Sequence, residues 1–564
     1  MAILNRRTRR DLEFDKVLAL VKQHAASPLG QAAVSRLKPQ AQPAGIEAEF
    51  ARVRDAVAAV RGEGFVVSHV EDILPALAEA QEATTIAPEA FLPVLGALET
   101  ARLLQDRLGA LERAPALREL AGELEAFPEL EGFIRRSVSE KGEIRDDASP
   151  LLRQLTQRHH TTEARARKKL EALLQGAGNV IQEAVITRRG GRLVVPIKSH
   201  LRHQLDGIVQ DSSGSGQTLF LEPTSVVSDN NLLRELDGEI RDEKHPILQA
   251  LTDKLRQEAP KLRKTLRAYA WVDSVYARAR YALLAGAVVP ELNEEGHIRL
   301  RNARHPLLPA AKVVPIGLSL GQDHQGMVIT GPNTGGKTIT LKTVGLLTLM
   351  AQSAIPVPAD EGAQLAVFAR VRSDIGDEQS IEQSLSTFSS HLRNIITILA
   401  DLDGGDGLSL VLLDEIGAGT DPQEGTALGV ALLHALLARP TRLMVTTHYS
   451  ALKRYAYGHP KLKNASVEFD LVEGVPGASN AFLIAQRLGL PDELIESAKR
   501  AMDEGEVRAE DVIRQLQAEH AALDHERDAF REARRGLEDQ VARYQEKLTQ
   551  LEREQREALG AEAA

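Results

Sequence analysis

The sequence contains no cysteine among its 564 residues, and this absence excludes several kinds of chemistry at once. Disulfide bonds, thiolate metal sites and a cysteine nucleophile are all ruled out. Nothing in the composition calls for an oxidising compartment, so we expect a cytoplasmic location. Aromatic residues make up only 4% of the chain, which argues against a surface that binds nucleic acid by base stacking.

Long apolar runs and an overall basic charge are missing as well. The longest apolar stretch, Val344 to Val357, is broken by glycine, proline and polar residues and is too short to span a bilayer. The formal net charge is −10, which excludes a globally basic coat for nucleic acid. A hydrophobic fraction of 43% and a charged fraction of 26% are typical of a folded globular protein, and the length predicts several domains.

One segment departs from the acidic average. Between Leu151 and Leu205, eleven basic residues stand against three acidic ones, a net charge of +8. Five basic residues lie in the part with β-type pattern, where no acid occurs between Thr187 and Leu205; they are Arg188, Arg189, Arg192, Lys198 and Arg202. We predict that these five bind nucleic-acid phosphates. The alternative is a solvated charged tip that only keeps the protein soluble.

The hydrophobic periodicity divides the chain into five segments. Residues 1–148 have a helical pattern. Residues 149–230 begin with a helix from Ser149-Pro150 to about Gln175, followed by strands expected at 185–187, 192–197, 207–210 and 217–221. Residues 231–297 are helical again, and residues 298–504 alternate short apolar strands with helices, the pattern of an α/β domain. Residues 505–564 predict a coiled coil, with apolar residues seven apart at Leu516, Leu523, Phe530, Leu537, Tyr544 and Leu551.

A phosphate-binding loop is predicted where the sequence reads GPNTGGKT, between an expected strand at 326–330 and an expected helix at 339–350. Its residues are Gly331, Pro332, Asn333, Thr334, Gly335, Gly336, Lys337 and Thr338. The glycines let backbone N–H groups surround the phosphates, Lys337 neutralises the β and γ oxygens, and the Thr338 hydroxyl ligates magnesium. The sequence therefore predicts ATP and Mg²⁺ as cofactors.

Two adjacent carboxylates follow an apolar run at 408–413, and Asp414 lies 76 residues after Thr338. We expect Asp414 to hold the magnesium through water and Glu415 to polarise the attacking water. On its own, an Asp-Glu pair after an apolar run is more often an exposed strand end. The preceding phosphate loop favours the catalytic interpretation, and the short spacing excludes architectural ATPases that insert hundreds of coiled-coil residues at this point.

Two further features concern the γ-phosphate and a second subunit. His448 follows the apolar run 443–447 and is predicted to sense the γ-phosphate, although a histidine at a strand end is often structural. The hydroxyl-rich stretch 384–391 contains Ser386, Thr387 and Ser389 near an expected helix N-terminus, which suits an anion. These three residues would complete the nucleotide site of the partner in a homodimer; the alternative is ordinary helix capping.

Together these words resemble the MutS family of ABC-type ATPases. The resemblance is carried by GPNTGGKT at 331–338, STF at 386–388, LLDEIGAGTDPQEG at 412–425, TTHY at 446–449 and SNAF at 479–482. The loop form Thr334-Gly335-Gly336 and the SNAF word resemble the second branch, MutS-two. The resemblance covers nearly all of residues 1–500. It implies that the helical segments 1–148 and 231–297 form the core and lever, that 149–230 is the clamp, and that 298–504 is an ABC-type ATPase domain.

The resemblance also implies a function. We expect an ATP-hydrolysing dimeric clamp that binds branched or junction DNA and suppresses homologous recombination. The alternative from the same family is a sensor of collided ribosomes that binds rRNA and splits stalled ribosomes with ATP; the location would accordingly be nucleoid- or ribosome-associated.

Two other family features receive no role in this chain. Endonuclease activity belongs to longer members with LDL and HGxG words, which are missing here up to Ala564, so we do not expect it. Phe127-Pro128-Glu129 and Phe220-Leu221-Glu222 match the Phe-x-Glu wedge of mismatch-reading members. Matches to so short a word arise by chance in a chain with 12 phenylalanines.

Overall fold

A computed structural model describes residues 3–177, 179–309, 311–331, 336–376, 387–468 and 470–473. These residues form two compact units. The first unit contains the described parts of Met1–Val21, Ser35–Val57 and Arg278–Ala564, and the second unit contains those of Lys22–Val34 and Ala58–Ala277. Both units combine segments that are far apart in sequence, and the predicted contiguous domain ranges stay predictions. The coiled coil expected at 505–564 lies outside the described residues.

The N-terminal part of the chain is helical, as its pattern predicted. The helices are α1 (Arg6–Asp11), α2 (Phe14–Lys22), α3 (Pro28–Ser35), α4 (Pro43–Gly62), α5 (Leu74–Glu82), α6 (Phe91–Ala110), α7 (Pro115–Arg118) and α8 (Pro128–Ser137). Most begin with a proline in the first turn, where its missing N–H group leaves no helical hydrogen bond unmade. The proline and glycine breaks in the sequence therefore mark the helix boundaries.

A long helix and a small antiparallel sheet follow in the second unit. They consist of α9 (Pro150–Gly176) and strands β1 (Thr187–Arg189), β2 (Arg192–Lys198), β3 (Gly207–Ser212) and β4 (Thr218–Pro223), in the sheet order β1-β2-β4-β3. The predicted helix is confirmed: the Ser149 hydroxyl accepts a hydrogen bond from the amide of Leu152 at 3.0 Å and caps its N-terminus. The first strand begins two residues later than expected, because pairing with β2 places Thr187 opposite Val194.

The next helix, α10 (Val227–Ala285), runs from the second unit into the first, as the helical pattern from Ser228 to about Leu284 predicted. In the first unit its last part carries Arg278, whose side chain is completely buried. The guanidinium pairs with the Glu49 carboxylate at 3.0 Å and donates to the carbonyl of Ala354 at 3.2 Å. A buried charge is costly unless it is paired in this way, so this contact fixes α4 to the end of α10.

The remaining elements of the first unit alternate between strands and helices. They are β5 (Glu291–Asn293), β6 (Ile298–Ala303), β7 (Ile316–Leu320), β8 (Gly326–Thr330), α11 (Lys337–Gln352), β9 (Gln364–Ala366), β10 (Arg370–Asp374), α12 (Thr387–Asp403), β11 (Ser409–Leu413), α13 (Pro422–Leu437), β12 (Thr441–Thr446), α14 (Ser450–Gly458), β13 (Leu462–Glu468) and β14 (Asp470–Glu473). One sheet has the order β5-β9-β6-β7, and the other has the order β10-β11-β12-β8-β13-β14.

The six-stranded sheet positions the candidate site. Its strands from β10 to β13 run parallel, and only β14 is antiparallel. The apolar sides of α12, α13 and α14 pack on one face in a cluster that contains Ile398, Leu433 and Leu452. Helix α11 is buried along nearly its whole length, which accounts for the apolar stretch from Val344. The carboxyl ends of the parallel strands meet at one edge, where ligands bind in open α/β sheets.

None of the described helices combines the length and the apolar character that crossing a membrane would require.

The small sheet of the second unit is anchored by a buried carboxylate. Glu222 on β4 is completely buried and receives hydrogen bonds from Arg192 at 2.6 Å, Gln210 at 2.6 Å and Asn230 at 3.0 Å. The Asn230 side chain also bonds both backbone groups of Leu193 on β2. The Phe-x-Glu match at Phe220 is therefore part of the structure of this small sheet, β1 to β4, which we call the tip.

This network predicts a local stability difference between two arginines of the tip. Arg192→Ala should lower the opening free energy at the Leu193 amide by about 3 kcal/mol, because it leaves the buried Glu222 without its cationic partner. Native-state hydrogen exchange of that amide measures the loss. Arg188→Ala is the matched control, since Arg188 pairs with Glu163 at the surface and should cost at most about 1 kcal/mol. Equal losses in the two variants would contradict an anchoring role for Arg192.

Candidate nucleotide site

Those of the predicted phosphate-handling residues that the structure describes meet at the carboxyl edge of the six-stranded sheet. Gly331 follows β8, whereas Pro332 to Gly335 lie outside the described residues. Gly336 has a φ of +93° at the N-cap of α11, a left-handed backbone conformation that favours glycine. Lys337 and Thr338 then form the first turn of α11. The strand that the sequence predicted before the loop and the helix that it predicted after the loop are both present.

The Lys337 side chain is buried near Glu415, predicted to be catalytic, and Asp414, predicted to hold magnesium. Burial lowers the pKa of Lys337, while the charges of Glu415 and Asp414 act in the opposite direction. A buried ammonium group near two carboxylates is suited to phosphate oxygens, because the low local dielectric strengthens its attraction for an anion.

Asp414 is held from both sides by threonine hydroxyls. Thr338 Oγ1 donates to Asp414 Oδ2 at 2.7 Å, and Thr446 Oγ1 donates to the other carboxylate oxygen. The structure thus brings together Thr338 and Asp414, the two predicted magnesium ligands. A hydroxyl and a carboxylate are oxygen donors of the kind that Mg²⁺ prefers, so the donor set fits this ion.

Glu415 lies next to Asp414 with an unusual backbone. Its φ is +48°, and its amide donates to Thr446 Oγ1 at 2.7 Å. A non-glycine residue in this region is strained, and such strain concentrates at functional sites. The following turn is tight as well: a Cβ at Gly417 would approach the carbonyl oxygen of Gly425 to 2.5 Å. The turn therefore fixes where the Glu415 side chain leaves the sheet.

His448 lies two residues beyond the end of β12, at the same edge, and is exposed. Its ring contacts that of Tyr449 with a centroid distance of 4.4 Å. The Tyr449 hydroxyl donates to the carbonyl of Gly417 at 3.2 Å, so the segment after β12 is joined to the turn after Glu415. The predicted γ-phosphate contact of His448 remains a prediction.

Two of the three residues predicted to act across a dimer lie in the first turn of α12. Ser386 lies outside the described residues, Thr387 is the first residue of α12, and Ser389 is exposed in the first turn. A Cβ at Gly419 would lie 3.3 Å from the Cβ of Phe388, so the start of α12 lies against the turn that follows Glu415.

The five basic residues predicted to bind nucleic acid all have partners within the second unit. Arg188 pairs with Glu163 at 2.8 Å, and Arg189 pairs with Asp211 at 3.2 Å. The Arg189 guanidinium also lies over the Phe220 ring.

The other three are bound in different ways. Arg192 is only 17% exposed and pairs with Glu222. Lys198 donates to the carbonyl of Asn179, and Arg202 donates to two carbonyl groups, those of Leu205 and Gly207. The partner acids lie outside the acid-free stretch of sequence, so the local charge count overstated the free positive charge. Arg188, Arg189 and Lys198 remain the more accessible candidates.

Sequence reasoning missed Thr446. The TTHY word contained it, but only the neighbouring histidine was assigned a role. The signal that would have found it is a hydroxyl residue at the carboxyl end of the strand next to Asp414, because neighbouring parallel strands end at the same edge.

The strand order, the buried lysine and the threonine-held aspartate are the arrangement expected of a nucleoside triphosphatase with a phosphate loop. Comparison of the sequence with known protein families identifies one family for the part of the chain that contains this site. The family model MutS domain V matches residues 327–505.

Proteins that are similar to this chain along most of its length also belong to the MutS family. Endonuclease MutS2 of Geobacillus kaustophilus (strain HTA426) is 43% identical over 544 residues, covering 94% of this chain and 69% of that protein. Endonuclease MutS2 of Geobacillus thermodenitrificans (strain NG80-2) is 42% identical over 571 residues, covering 98% and 72%. Putative endonuclease MutS2 of Bacillus subtilis (strain 168) is 42% identical over 507 residues, covering 87% and 64%. The chain therefore belongs to the MutS2 family, and it spans about two thirds of the length of these relatives.

The hydroxyl of Thr446 gives a direct test of the site. Thr446→Val keeps the side-chain shape but removes the group that holds Asp414 and the Glu415 amide. We expect the Mg²⁺ concentration for half-maximal ATP turnover to rise roughly 10-fold, because groups that orient a metal ligand typically contribute at least this much. A Mg²⁺ titration of turnover measures the change.

The control is Thr441→Val. Thr441 lies at the opposite end of β12, where its hydroxyl donates to the carbonyl of Leu436. If both variants shift the Mg²⁺ requirement equally, Thr446 has no special role at the site.

Proposed function

We propose that the chain is an ATP-hydrolysing dimeric clamp that binds branched or junction DNA and suppresses homologous recombination. The observation that carries the ATPase part is the juxtaposition of Lys337, Thr338, Asp414 and Glu415 at one sheet edge. The DNA part rests on membership of the MutS2 family together with the basic tip of the second unit.

In this proposal each site residue has a distinct task. Thr338 and Asp414 hold Mg²⁺, which would neutralise charge on the phosphates when bound. Lys337 binds the β and γ oxygens. Glu415 orients and polarises the attacking water, and its fixed backbone keeps the carboxylate at the strand end. His448, exposed at the same edge, contacts the γ-phosphate.

The dimeric part of the proposal places Ser386, Thr387 and Ser389 of one subunit against the nucleotide of the other. Two observations support it. The first turn of α12 carries no acidic residue, and Ser389 is exposed there. A helix N-terminus with free N–H groups attracts anions, so this turn is suited to the phosphates of a nucleotide.

Substitution of Glu415 tests the ATPase and the dimer together. Glu415→Gln should bind MgATP yet lower turnover by about 100-fold or more, because the amide cannot accept the proton of the water. Lys337→Ala should bind MgATP poorly. In sedimentation experiments, ATP should strengthen self-association of Glu415→Gln, since it binds the closed dimer better than the open one.

Glu361→Gln removes a carboxylate from an exposed turn of the same unit and serves as the control. Wild-type turnover in Glu415→Gln would refute its assigned role. Identical association with and without ATP would argue against the composite site.

The nucleic-acid part of the proposal predicts a change in how the binding affinity depends on salt concentration. Replacing Arg188, Arg189 and Lys198 with alanine should reduce the slope of log affinity against log salt by about 0.9 for each duplex phosphate that the variant no longer neutralises. Arg192 is left intact, because it holds the buried Glu222. Fluorescence anisotropy with a four-way junction, a linear duplex and an rRNA fragment measures the slopes.

A triple variant with the same reduction in charge, Lys254→Ala with Lys261→Ala and Lys264→Ala, removes surface lysines of α10 and should leave the slopes unchanged. Tighter binding to the junction than to the duplex supports the proposed substrate. Tighter binding to rRNA than to either DNA would favour the ribosome-splitting alternative. An unchanged slope on every ligand would remove the tip from the interface.

A further inference from the structure

The N-terminal segment of the chain lies against the edge strand β10 of the six-stranded sheet in the first unit. The carbonyl of Ile3 accepts hydrogen bonds from the Val371 amide at 2.9 Å and from the Arg372 guanidinium at 2.8 Å. Leu4 forms a parallel bridge with Val371. Ile3 and Leu4 thus pair with the edge strand β10 as a short extra strand would.

Helix α1 continues this contact toward the carboxyl end of β10. Thr8 Oγ1 accepts from the Ser373 amide at 3.0 Å, and the Ser373 hydroxyl donates to Asp11 at 2.9 Å. Thr8 is completely buried. Two polar side chains of α1 thus bind the amide and the hydroxyl of Ser373, and these bonds fix α1 on the sheet.

The carboxylate of Asp374, the last residue of β10, accepts hydrogen bonds from three side chains, although the Asp374 side chain is only 2% exposed. Arg7 of α1 donates to Oδ1 at 2.7 Å, and Asn394 of α12 donates to the same oxygen at 2.9 Å. His391 of α12 bonds Oδ2 through Nδ1 at 2.7 Å. The bond to Asp374 raises the pKa of His391. One buried carboxylate thus joins the N-terminal segment to α12.

The same residue also contacts the candidate magnesium site. The carbonyl of Asp374 accepts from the amide of Asp414 at 2.9 Å. The His391 ring lies against Gly376, where an added Cβ would be 3.2 Å from Cε1. The network therefore fixes the end of β10 and the first two turns of α12 relative to Asp414.

We propose that Arg7, Asp374 and His391 form a positioning network for nucleotide turnover. Arg7 compensates the charge of the buried Asp374, Asp374 holds His391, and His391 sets the place of the first turns of α12, which carry Ser389. The proposal rests on the ATPase function proposed above and extends it: the N-terminal segment, about 370 residues away in sequence, controls the geometry of the nucleotide site.

The experiment compares turnover with nucleotide binding in variants of the full chain. Arg7→Ala and His391→Ala should lower kcat about 10-fold, because each removes a charge-assisted hydrogen bond within the network. The Kd of a fluorescent ATP analogue should stay within about 3-fold, since Lys337 and Thr338 are untouched and a displaced α12 affects mainly the catalytic geometry. His391→Asn keeps an N–H donor near the position of Nδ1 and should restore most of the turnover.

Arg9→Ala is the matched control, because Arg9 lies on the same helix but pairs with Asp15 at the surface. Arg7→Gln, which keeps a donor without the charge, serves if Arg7→Ala does not fold. Wild-type kcat in the Arg7 and His391 variants would overturn the proposal, and so would a His391→Asn variant as impaired as His391→Ala. Failure of the ATPase proposal itself would be visible separately, as a lack of Mg²⁺-dependent ATP turnover in the unsubstituted chain.

Discussion

Asp414 is the residue on which the geometry of the candidate nucleotide site depends. Its two carboxylate oxygens accept hydrogen bonds from Thr338 at the start of α11 and from Thr446 at the end of β12. Its amide is bound by Asp374 at the end of β10. One side chain and its backbone thus join three elements of the sheet edge. Because these partners are themselves held by packed elements, the oxygens are oriented before any ligand arrives, and such preorganisation is what phosphoryl transfer requires of a protein.

Both units bury carboxylates, and three of the described ones are each paired with an arginine. Asp374 has Arg7, Glu49 has Arg278 and Glu222 has Arg192. Removing one partner from such a pair is far more costly than the net contribution of the pair, because the remaining charge stays buried. This constraint explains why Arg192 belongs to the architecture of the tip. It also explains how a short N-terminal helix can be tightly bound at the edge of a sheet formed by residues more than 300 positions later.

Much of the local structure could be predicted from the sequence. Ser149-Pro150 marks a helix start because a hydroxyl cap and a first-turn proline act within four residues. The loop from Gly331 to Thr338 could be placed between strand and helix for a similar reason, since glycine conformation and helix-end geometry are local. Asp414 and Glu415 were identifiable because an apolar run of strand length places the next residues at a sheet edge. Thr446 was not singled out, because its importance comes from the strand next to it.

By itself, the sequence determined the helical and α/β segments, the phosphate-loop pattern between a strand and a helix, and the excess of basic residues in the tip, since all of these depend on neighbours within a few positions. Only the tertiary structure decided which of the charged side chains are paired within the protein and which remain accessible to a ligand. The acids that pair with Arg188, Arg189 and Arg192 come from α9, β3 and β4, and the arginine that compensates Asp374 comes from the first helix. Electrostatic pairing acts through space over a few ångströms, whereas a charge count along the chain ignores every residue that folding brings close from elsewhere.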